Sequence, residues 1–212
     1  MIKFSDILAA FEGKLSVFKK HPPILTGDDF GEFLATRASF IAQKTLYGYL
    51  KTRMGMQFPK MFEDDVFIES INIAKWNLYA ACISDLAIYM AANFYSEQSD
   101  KKPAQKMADF WFHHVIDDRF ENGEFKGSTK VFKKEFKERL KDIDWDEASI
   151  GEGAFKASPD ALIKWAPIDQ TLKSFDEPVV RNSIRFQWQA IRREFNKLLD
   201  REALRQDLKL AS

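Results

Sequence analysis

Two histidine and aspartate pairs are the features of this chain that come closest to a reactive site. His113 lies four residues before Asp117, and His114 lies four residues before Asp118. Residues four apart share one face of a helix, so each pair has the spacing of a metal-binding motif. A zinc site needs three or four protein ligands, and His21 is the one further histidine. We therefore predict no metal site, and interpret each pair as a hydrogen bond near a helix end.

An acidic segment in the second half of the chain copies the start of a calcium loop. Asp142, Asp144 and Asp146 match the first three ligand positions of that loop. The sixth position must be glycine and the twelfth a bidentate glutamate, whereas this chain has Glu147 and Gly153 there. The sequence therefore predicts no calcium site.

Motifs that would identify an enzyme are absent from the sequence. It contains no Gly-x-Ser-x-Gly turn, no phosphate-binding loop, no Gly-x-Gly-x-x-Gly and no Cys-x-x-Cys. We accordingly predict no catalytic, cofactor-binding or metal-binding residue and no cofactor. The absence of these motifs favours a protein that is not an enzyme.

Charged residues inside apolar stretches form a second group of candidates. Lys75 and Asp85 interrupt the apolar run 66–95, and Arg37 and Lys44 belong to a segment with so little polar face that both should be partly enclosed. Ten helical positions span about 15 Å, so Lys75 and Asp85 are too far apart to neutralise each other. We predict that Asp85 pairs with Arg37, Lys44 or another base, and that Lys75 pairs with an acid of a neighbouring helix. Such pairs would fix the register of the helices, or alternatively line a ligand pocket.

The spacing of the apolar residues predicts an all-α fold with little or no strand. We expect an irregular bundle of about seven helices around a buried central helix over residues 66–95. Further helices are predicted over about 103–120, 130–141, 158–172 with a bend or split at Pro167, and 176–208, the last being a long C-terminal helix.

The helix before the central one has clear boundary signals in the sequence. It should begin after Gly27 with Asp28 or Asp29 as N-cap, because short polar side chains accept hydrogen bonds from the free amides of the first turn. It should end at about Met54, because Gly55 is suited to the position that follows a helix.

Composition limits the classes of function and the location of the chain. The 212 residues are 45% hydrophobic, enough for a sizeable core, and 32 basic residues balance 32 acidic ones. We therefore predict no nucleic-acid partner and no general attraction to anionic membranes. No uncharged run of about 20 residues is present to span a membrane, and Asp6 and Glu12 argue against an export signal. With one cysteine, Cys82, the chain is predicted to be cytoplasmic or at the inner membrane surface.

Two regions follow from the pattern along the chain. Residues 1–25 are predicted to form an N-terminal amphipathic helix or arm, and residues 26–212 a single helical domain with a lobe boundary near 142–157. Gly151 and Gly153 would allow the chain to turn at that boundary. The first twenty residues have a modest excess of lysine, so peripheral membrane contact through residues 1–20 is an alternative to packing on the core.

Residues 33–95 resemble an uncharacterised all-helical protein family of alphaproteobacteria. The similarity is carried by residues 43–49 (QKTLYGY) and 62–65 (FEDD), and covers about a third of the chain. Members of this family are sometimes labelled esterases, but no serine of this sequence lies on a recognisable strand-to-helix turn. The resemblance therefore implies a helical fold and no functional residue.

These observations together favour a non-catalytic helical scaffold, adaptor or accessory subunit that acts through protein–protein contacts. The C-terminal helix is the predicted surface for another protein or for self-association, provided that Phe186, Leu204 and Leu208 are not all buried within one chain. One alternative is an enzyme or small-ligand-binding protein with a polar pocket between helices, whose polar groups would be Arg37, Lys75, Asp85, His113 and His114. The other alternative is a peripheral membrane factor.

Overall fold

The computed structural model describes residues 21–121 and 125–210. Over these ranges the chain is an all-α bundle, as predicted, and contains no strand. A single isolated bridge joins Ile24 to Leu199. The α-helices are α1 (Gly27–Met54), α2 (Asp65–Phe94), α3 (Lys102–Glu121), α4 (Lys130–Arg139), α5 (Trp145–Ser149), α6 (Ala157–Trp165), α7 (Gln170–Leu198) and α8 (Arg201–Leu210). Three short 3-10 helices lie at Gly55–Gln57, Lys60–Glu63 and Leu140–Asp142.

The first of these helices begins one residue before the predicted start. Thr26 is the N-cap, so the prediction of Asp28 or Asp29 in that position is wrong. The Thr26 hydroxyl accepts a hydrogen bond from the Asp29 amide at 3.1 Å, and the Asp29 carboxylate accepts one from the Thr26 amide at 3.0 Å. This reciprocal pair satisfies two free amides at once. The predicted end is confirmed, because α1 ends at Met54 and Gly55 follows with a φ of +52°.

The central helix α2 matches the prediction to within one residue at each end. Asp64 caps it by accepting hydrogen bonds from the amides of Val66 and Phe67. From Leu78 to Phe94 nearly every side chain is buried, so this part of α2 is surrounded by other helices. The all-round apolar character of the sequence is therefore explained by all-round packing.

Helices α1 and α3 approach each other closely at Gly31. A Cβ atom at Gly31 would lie 2.4 Å from Cζ3 of Trp111, far inside van der Waals contact. The missing side chain leaves room for the indole of Trp111, which is buried and lies 5.8 Å from the ring of Phe30. Glycine at this position is therefore required by packing.

The C-terminal part of the chain differs from the prediction at two points. The split expected at Pro167 is confirmed, because α6 ends at Trp165 and α7 begins at Gln170 with Asp169 as its N-cap. The helix expected over 176–208 starts earlier, continues through Pro178 and ends at Leu198. Asp200 caps α8 by accepting hydrogen bonds from the amides of Glu202 and Ala203, so one predicted helix is two. The start of α7 and the break before α8 were missed because each is marked by a single capping aspartate, Asp169 or Asp200.

Helix α8 is held by polar contacts to the ends of two other helices. The Arg201 guanidinium donates hydrogen bonds to the carbonyl oxygens of Asn93 and Phe94 at 2.7 and 2.9 Å, at the C-terminus of α2. The Asp207 carboxylate accepts a hydrogen bond of 2.8 Å from the Gly27 amide at the start of α1. A cation at a helix C-terminus and an anion at a helix N-terminus both suit the helix dipole.

Between α5 and α6 the chain turns through two glycines. Gly151 and Gly153 have φ angles of +85° and +71°, which L side chains rarely adopt. A Cβ at Gly151 would overlap the guanidinium of Arg192, at 2.1 Å from Cζ. Ala154 and Phe155 follow and are buried in the same core as α2 and α7.

The predicted N-terminal amphipathic segment lies almost wholly outside the described residues. Ile24, at the end of that segment, is fully buried. Among the described residues, no helix has both the length and the apolar character needed to cross a lipid bilayer.

Candidate functional site

The residues of the two histidine and aspartate pairs of α3 contact different neighbours. His114 stacks on Phe110, with the ring centroids 5.9 Å apart, and Asp117 forms an ion pair with Lys133 of α4. Nε2 of His113 is buried without a hydrogen-bond partner. In the part of the chain that the structure describes, no three or more His, Cys, Asp and Glu side chains converge on a metal position.

The segment that resembles a calcium loop is a helix start. Asp144 caps α5 by accepting hydrogen bonds of 3.0 Å from the amides of Asp146 and Glu147. The Asp146 carboxylate lies 2.7 Å from Nζ of Lys101. The carboxylates of this segment are thus used for capping and for an ion pair.

The charged residues singled out from the sequence lie in three different environments. Arg37 of α1 is buried and pairs with Glu194 of α7 through two hydrogen bonds, of 2.8 Å from Nε and 2.5 Å from Nη2. Lys44 is exposed, so the prediction that it is partly enclosed is wrong. Lys75 is half-buried, with Nζ 5.0 Å from the centre of the Trp76 ring. Its pairing with an acid stays a prediction.

Asp85 is the centre of a buried polar network, and its predicted base is Arg139. Both of its carboxylate oxygens are fully buried in α2. Oδ1 lies 2.7 Å from Nη1 of Arg139 in α4 and accepts a hydrogen bond of 3.0 Å from the Ala157 amide. Oδ2 accepts hydrogen bonds from the amide and the hydroxyl of Ser158, at 2.8 and 2.5 Å. The carboxylate is therefore surrounded by four donors.

Further contacts extend this network to α7. The Ser158 hydroxyl accepts a hydrogen bond of 2.9 Å from Nε1 of Trp188, which is buried. Arg139 also donates to Oγ of Ser84 and to the carbonyl oxygen of Ala154, both at 2.7 Å. We refer to Ser84, Asp85, Arg139, Ser158 and Trp188 as the Asp85 network. It connects α2, α4, α6 and α7.

The network provides α6 with a cap from another helix. The residue before α6, Lys156, makes no capping hydrogen bond with its side chain. Asp85 instead accepts from the first two amides of α6, and its negative charge lies at the positive end of that helix. Sequence analysis missed this role because Asp85 and Ser158 are 73 residues apart.

Burial and the surrounding hydrogen-bond donors shift the pKa of Asp85 in opposite directions. Burial raises the pKa of Asp85, while the Arg139 guanidinium and the hydrogen bonds from Ser158 oppose that rise. Burial, and secondarily the Asp85 charge, raises the pKa of the neighbouring Cys82 thiol well above its ordinary value. The thiol therefore stays protonated and unreactive.

The geometry of the network does not support acyl-transfer chemistry. Ser158 is fully buried, donates its hydroxyl proton to Asp85 and accepts from Trp188. A serine nucleophile needs a base to take its proton and an open side where substrate can approach. Ser158 contacts an aspartate that is already surrounded by donors, and it has no open side.

A cavity of about 260 Å³ lies beside this network, among α2, α3, α4 and α6. Its walls combine aromatic and polar side chains. These include Phe112, Phe132, Phe136, Trp165, Asn77, Ser84, Glu135, Arg139, Asp160 and Lys164. Arg37, Lys75, Asp85, His113 and His114, the residues considered for a polar pocket from the sequence, do not line it.

A second cleft lies on the surface between α3 and α8. Its volume is about 510 Å³, and it is bordered by Tyr95, Met107, Phe110, Trp111 and Leu208, with Lys102 and Lys106 at its edge. The five residues considered for a polar pocket do not line this cleft either.

Large apolar side chains are exposed along one side of α7. Leu172, Phe175, Val179 and Phe186 are 42%, 75%, 72% and 66% exposed. At 100° per residue they fall within a narrow sector of the helix, which we call the outer face of α7. The buried stripe of the same helix points the other way and consists of Val180, Ile184, Trp188, Ile191 and Phe195.

The prediction of a C-terminal interaction surface required that Phe186, Leu204 and Leu208 are not all buried within one chain. Leu204 of α8 is fully buried and Leu208 is half-buried, so α8 packs on the chain's own core. Phe186 remains exposed, and the surplus apolar surface is therefore on α7.

Comparison of the chain with protein-family models, with curated proteins and with solved structures gives no match.

Proposed function

We propose that this protein is a non-catalytic helical scaffold, adaptor or accessory subunit that binds another protein chain through the outer face of α7. The observation that carries the proposal is the exposure of Phe175, Val179 and Phe186 on one side of one helix. Single exposed apolar residues are ordinary on protein surfaces, but an aligned group along a helix is typical of an interaction site. Fully burying each such side chain contributes about 1.5–3 kcal/mol.

The position of this face makes it available to a partner. The opposite side of α7 already packs on the core through Ile184 and Trp188, so the outer face is not needed to fold the chain. Helix-in-groove and helix-on-helix recognition both use apolar anchors spaced by three, four or seven residues. Phe175, Val179 and Phe186 follow that spacing.

The cavity beside the Asp85 network supports a small-ligand function less well. Ligand pockets usually enclose about 300–1,000 Å³, and this cavity has about 260 Å³. Its most deeply placed cation, Arg139, is already paired with Asp85. A ligand would have to compete with that ion pair for the guanidinium.

We further propose that this is a bacterial protein and that it is located in the cytoplasm. The single cysteine is buried and has no second cysteine to pair with, which suits a reducing compartment. The balance of 32 basic and 32 acidic residues argues against nucleic acid as the partner.

The test is an affinity purification of the tagged protein from soluble and membrane fractions of its host, followed by mass spectrometry. We expect a chain retained at near-stoichiometric ratio by the wild type and lost from a Val179→Asp/Phe186→Asp variant. The matched control is Val66→Asp, because Val66 is 74% exposed and Val179 is 72% exposed. Val66 lies in the first turn of α2, where a carboxylate suits the helix dipole, so this control should fold normally.

The captured chain is then purified and its binding measured by calorimetry against the same three proteins. Binding that survives Val179→Asp/Phe186→Asp would contradict the assignment of the surface. Recovery of the wild type as a monomer without any retained chain would contradict the function itself.

A further inference from the structure

The outer face of α7 has two parts with different chemistry. Its N-terminal part carries the four apolar residues, and the same sector of the helix continues through Ala190 to Arg193 and Lys197. Both cations are exposed, and neither forms an ion pair with any other residue that the structure describes. A partner must therefore offer apolar groups to one end and negative charge to the other.

The helix itself has this complementary arrangement when a second copy lies antiparallel to it. With a two-fold axis between Asn182 and Ser183, Phe186 of one copy lies opposite Val179 of the second copy. In the same register Ala190 lies opposite Phe175, which pairs the smallest side chain of the face with a large ring. A two-fold interface requires this kind of self-complementarity.

Charge supports the same register. Arg193 lies opposite Leu172 of the second copy, and Lys197 lies just beyond the first residue of that helix, Gln170. Both cations then lie within about one turn of Asp169 of the second copy, the exposed carboxylate that caps α7. In a parallel pair, by contrast, Arg193 and Lys197 would face the same cations of the other helix, which is unfavourable.

Another segment of the same chain is a poorer occupant. Residues 1–20 contain Lys3, Lys14, Lys19 and Lys20 against two acids, so they have the same sign of charge as the C-terminal part of the face. A second copy offers both the apolar and the acidic groups that the face lacks.

We propose that this protein forms a homodimer through antiparallel packing of the outer faces of α7 about a two-fold axis between Asn182 and Ser183. This inference rests on the proposed function, because it identifies the partner as a second copy of the chain. It specifies a register, and the register can be tested directly.

The first test is site-specific disulfide formation in the full chain. In the proposed dimer the two copies of residue 183 lie beside the two-fold axis, within the separation of about 7 Å between Cα atoms that a disulfide can span. The native thiol of Cys82 is fully buried and should not react. We expect Ser183→Cys to form a covalent dimer under mild oxidation at micromolar concentration.

The matched control is Ser174→Cys, an exposed serine on the same helix. Its counterpart in the second copy would be 17 residues along the helix, about 25 Å away, so it should stay monomeric on a non-reducing gel. Equal cross-linking of the two variants would overturn the proposed register.

The second test is sedimentation equilibrium of the uncross-linked protein from 1 to 100 μM. We expect a dimer whose dissociation constant rises at least about 30-fold in Phe186→Asp, because a charge would replace an apolar anchor at the centre of the interface. The control variant Val66→Asp should keep the wild-type constant.

The outcomes separate this inference from the proposed function. A wild type that is monomeric at 100 μM, with no preferential cross-linking of Ser183→Cys, overturns the homodimer. The proposed function then still stands or falls on the heterologous partner sought by affinity purification. A dimer that is unaffected by Phe186→Asp overturns the assignment of this face to self-association.

Discussion

The inner and the outer face of α7 both differ from the usual pattern of apolar groups inside and polar groups outside. The inner face contacts buried polar and charged groups, whereas the outer face exposes apolar ones. On the inner face, Trp188 donates to a network that contains a buried carboxylate and a guanidinium. On the outer face, Phe175, Val179 and Phe186 are exposed to solvent. Burying charge and exposing aromatic rings are both unfavourable, yet within the described residues only the buried charge is compensated.

The two faces differ because the buried carboxylate has hydrogen-bond donors around it, whereas the exposed apolar side chains have no packing neighbours among the described residues. Every oxygen of Asp85 has two donors, supplied by α4 and α6. Among the residues that the structure describes, no helix covers the outer face, because α7 packs on the core with its other side. An uncompensated group on the surface is therefore better evidence for a partner than a compensated group in the core.

The largest effect is expected from removing the centre of the buried network. Asp85→Ala leaves the half-buried Arg139 guanidinium without its counter-ion and the first amides of α6 without a cap. We expect the free energy of unfolding to fall by about 3–5 kcal/mol. Urea unfolding followed by tryptophan fluorescence measures this change.

Asp64→Ala is the matched control for this variant. Asp64 also accepts hydrogen bonds from two amides of a helix start, but it caps its own helix on the surface. Its removal should cost about 1 kcal/mol, as for an ordinary N-cap. If both variants lost the same free energy of unfolding, the Asp85 network would contribute no more to stability than an ordinary helix cap.

A second comparison uses two residues of α7 that are only two positions apart. Ile184 is fully buried and Phe186 is 66% exposed. Ile184→Ala should reduce the free energy of unfolding by about 2–5 kcal/mol through lost burial and a residual cavity. Phe186→Ala should change it by no more than about 0.5 kcal/mol in the monomer, measured at a concentration below self-association.

A large loss for Phe186→Ala at such dilution would show that the outer face contributes to folding of the single chain. It would then be part of the core rather than an interaction surface, and the contrast between the two faces would disappear.

A smaller effect is expected from the link between the network and α7. Ser158→Ala removes the hydroxyl that donates to Asp85 and accepts from Trp188, and leaves the indole N–H buried without an acceptor. The expected loss is about 1–3 kcal/mol. Ser174→Ala, at an exposed serine of α7, is the control and should be close to neutral. An unchanged stability for Ser158→Ala would show that the indole finds another acceptor.

Sequence alone predicted the elements whose signals are local. The extent of α2, the end of α1 at Met54 and the all-α class follow from apolar periodicity and from glycine after a helix. The start of α7 and the break before α8 were missed, because Asp169 and Asp200 act as caps within stretches that also read as helix. Local signals therefore fixed the long elements better than their boundaries.

The network was predictable only in part. A buried Asp85 requires a base, and that requirement follows from the cost of burying charge. The identity of the base does not, because Arg139, Ser158 and Trp188 reach Asp85 only through the tertiary packing of α4, α6 and α7. Likewise, the exposure of Phe186 depends on how the other helices pack around α7, which the sequence of α7 alone does not give.

The smallest effect concerns pH and tests how well Asp85 is compensated. Because burial raises the pKa of Asp85 in the fold, the native state keeps its proton at a pH where the unfolded chain has lost it. The contribution of this group to stability is then fully present below the unfolded pKa, about 3.9, and is lost as pH rises toward the folded pKa.

Asp85→Asn serves as the reference, since its side chain has a similar shape and does not titrate. We expect the stability of the wild type relative to Asp85→Asn to decrease as pH rises from about 3.9 to the folded pKa and to stay constant above it, as measured by urea unfolding at each pH. A relative stability that increases over this range would mean that Arg139 and Ser158 lower the folded pKa below the unfolded value. The donors would then stabilise the Asp85 carboxylate by more than its burial destabilises it. The buried charge next to the inner face of α7 would in that case be fully compensated, in contrast to the exposed apolar residues of the outer face.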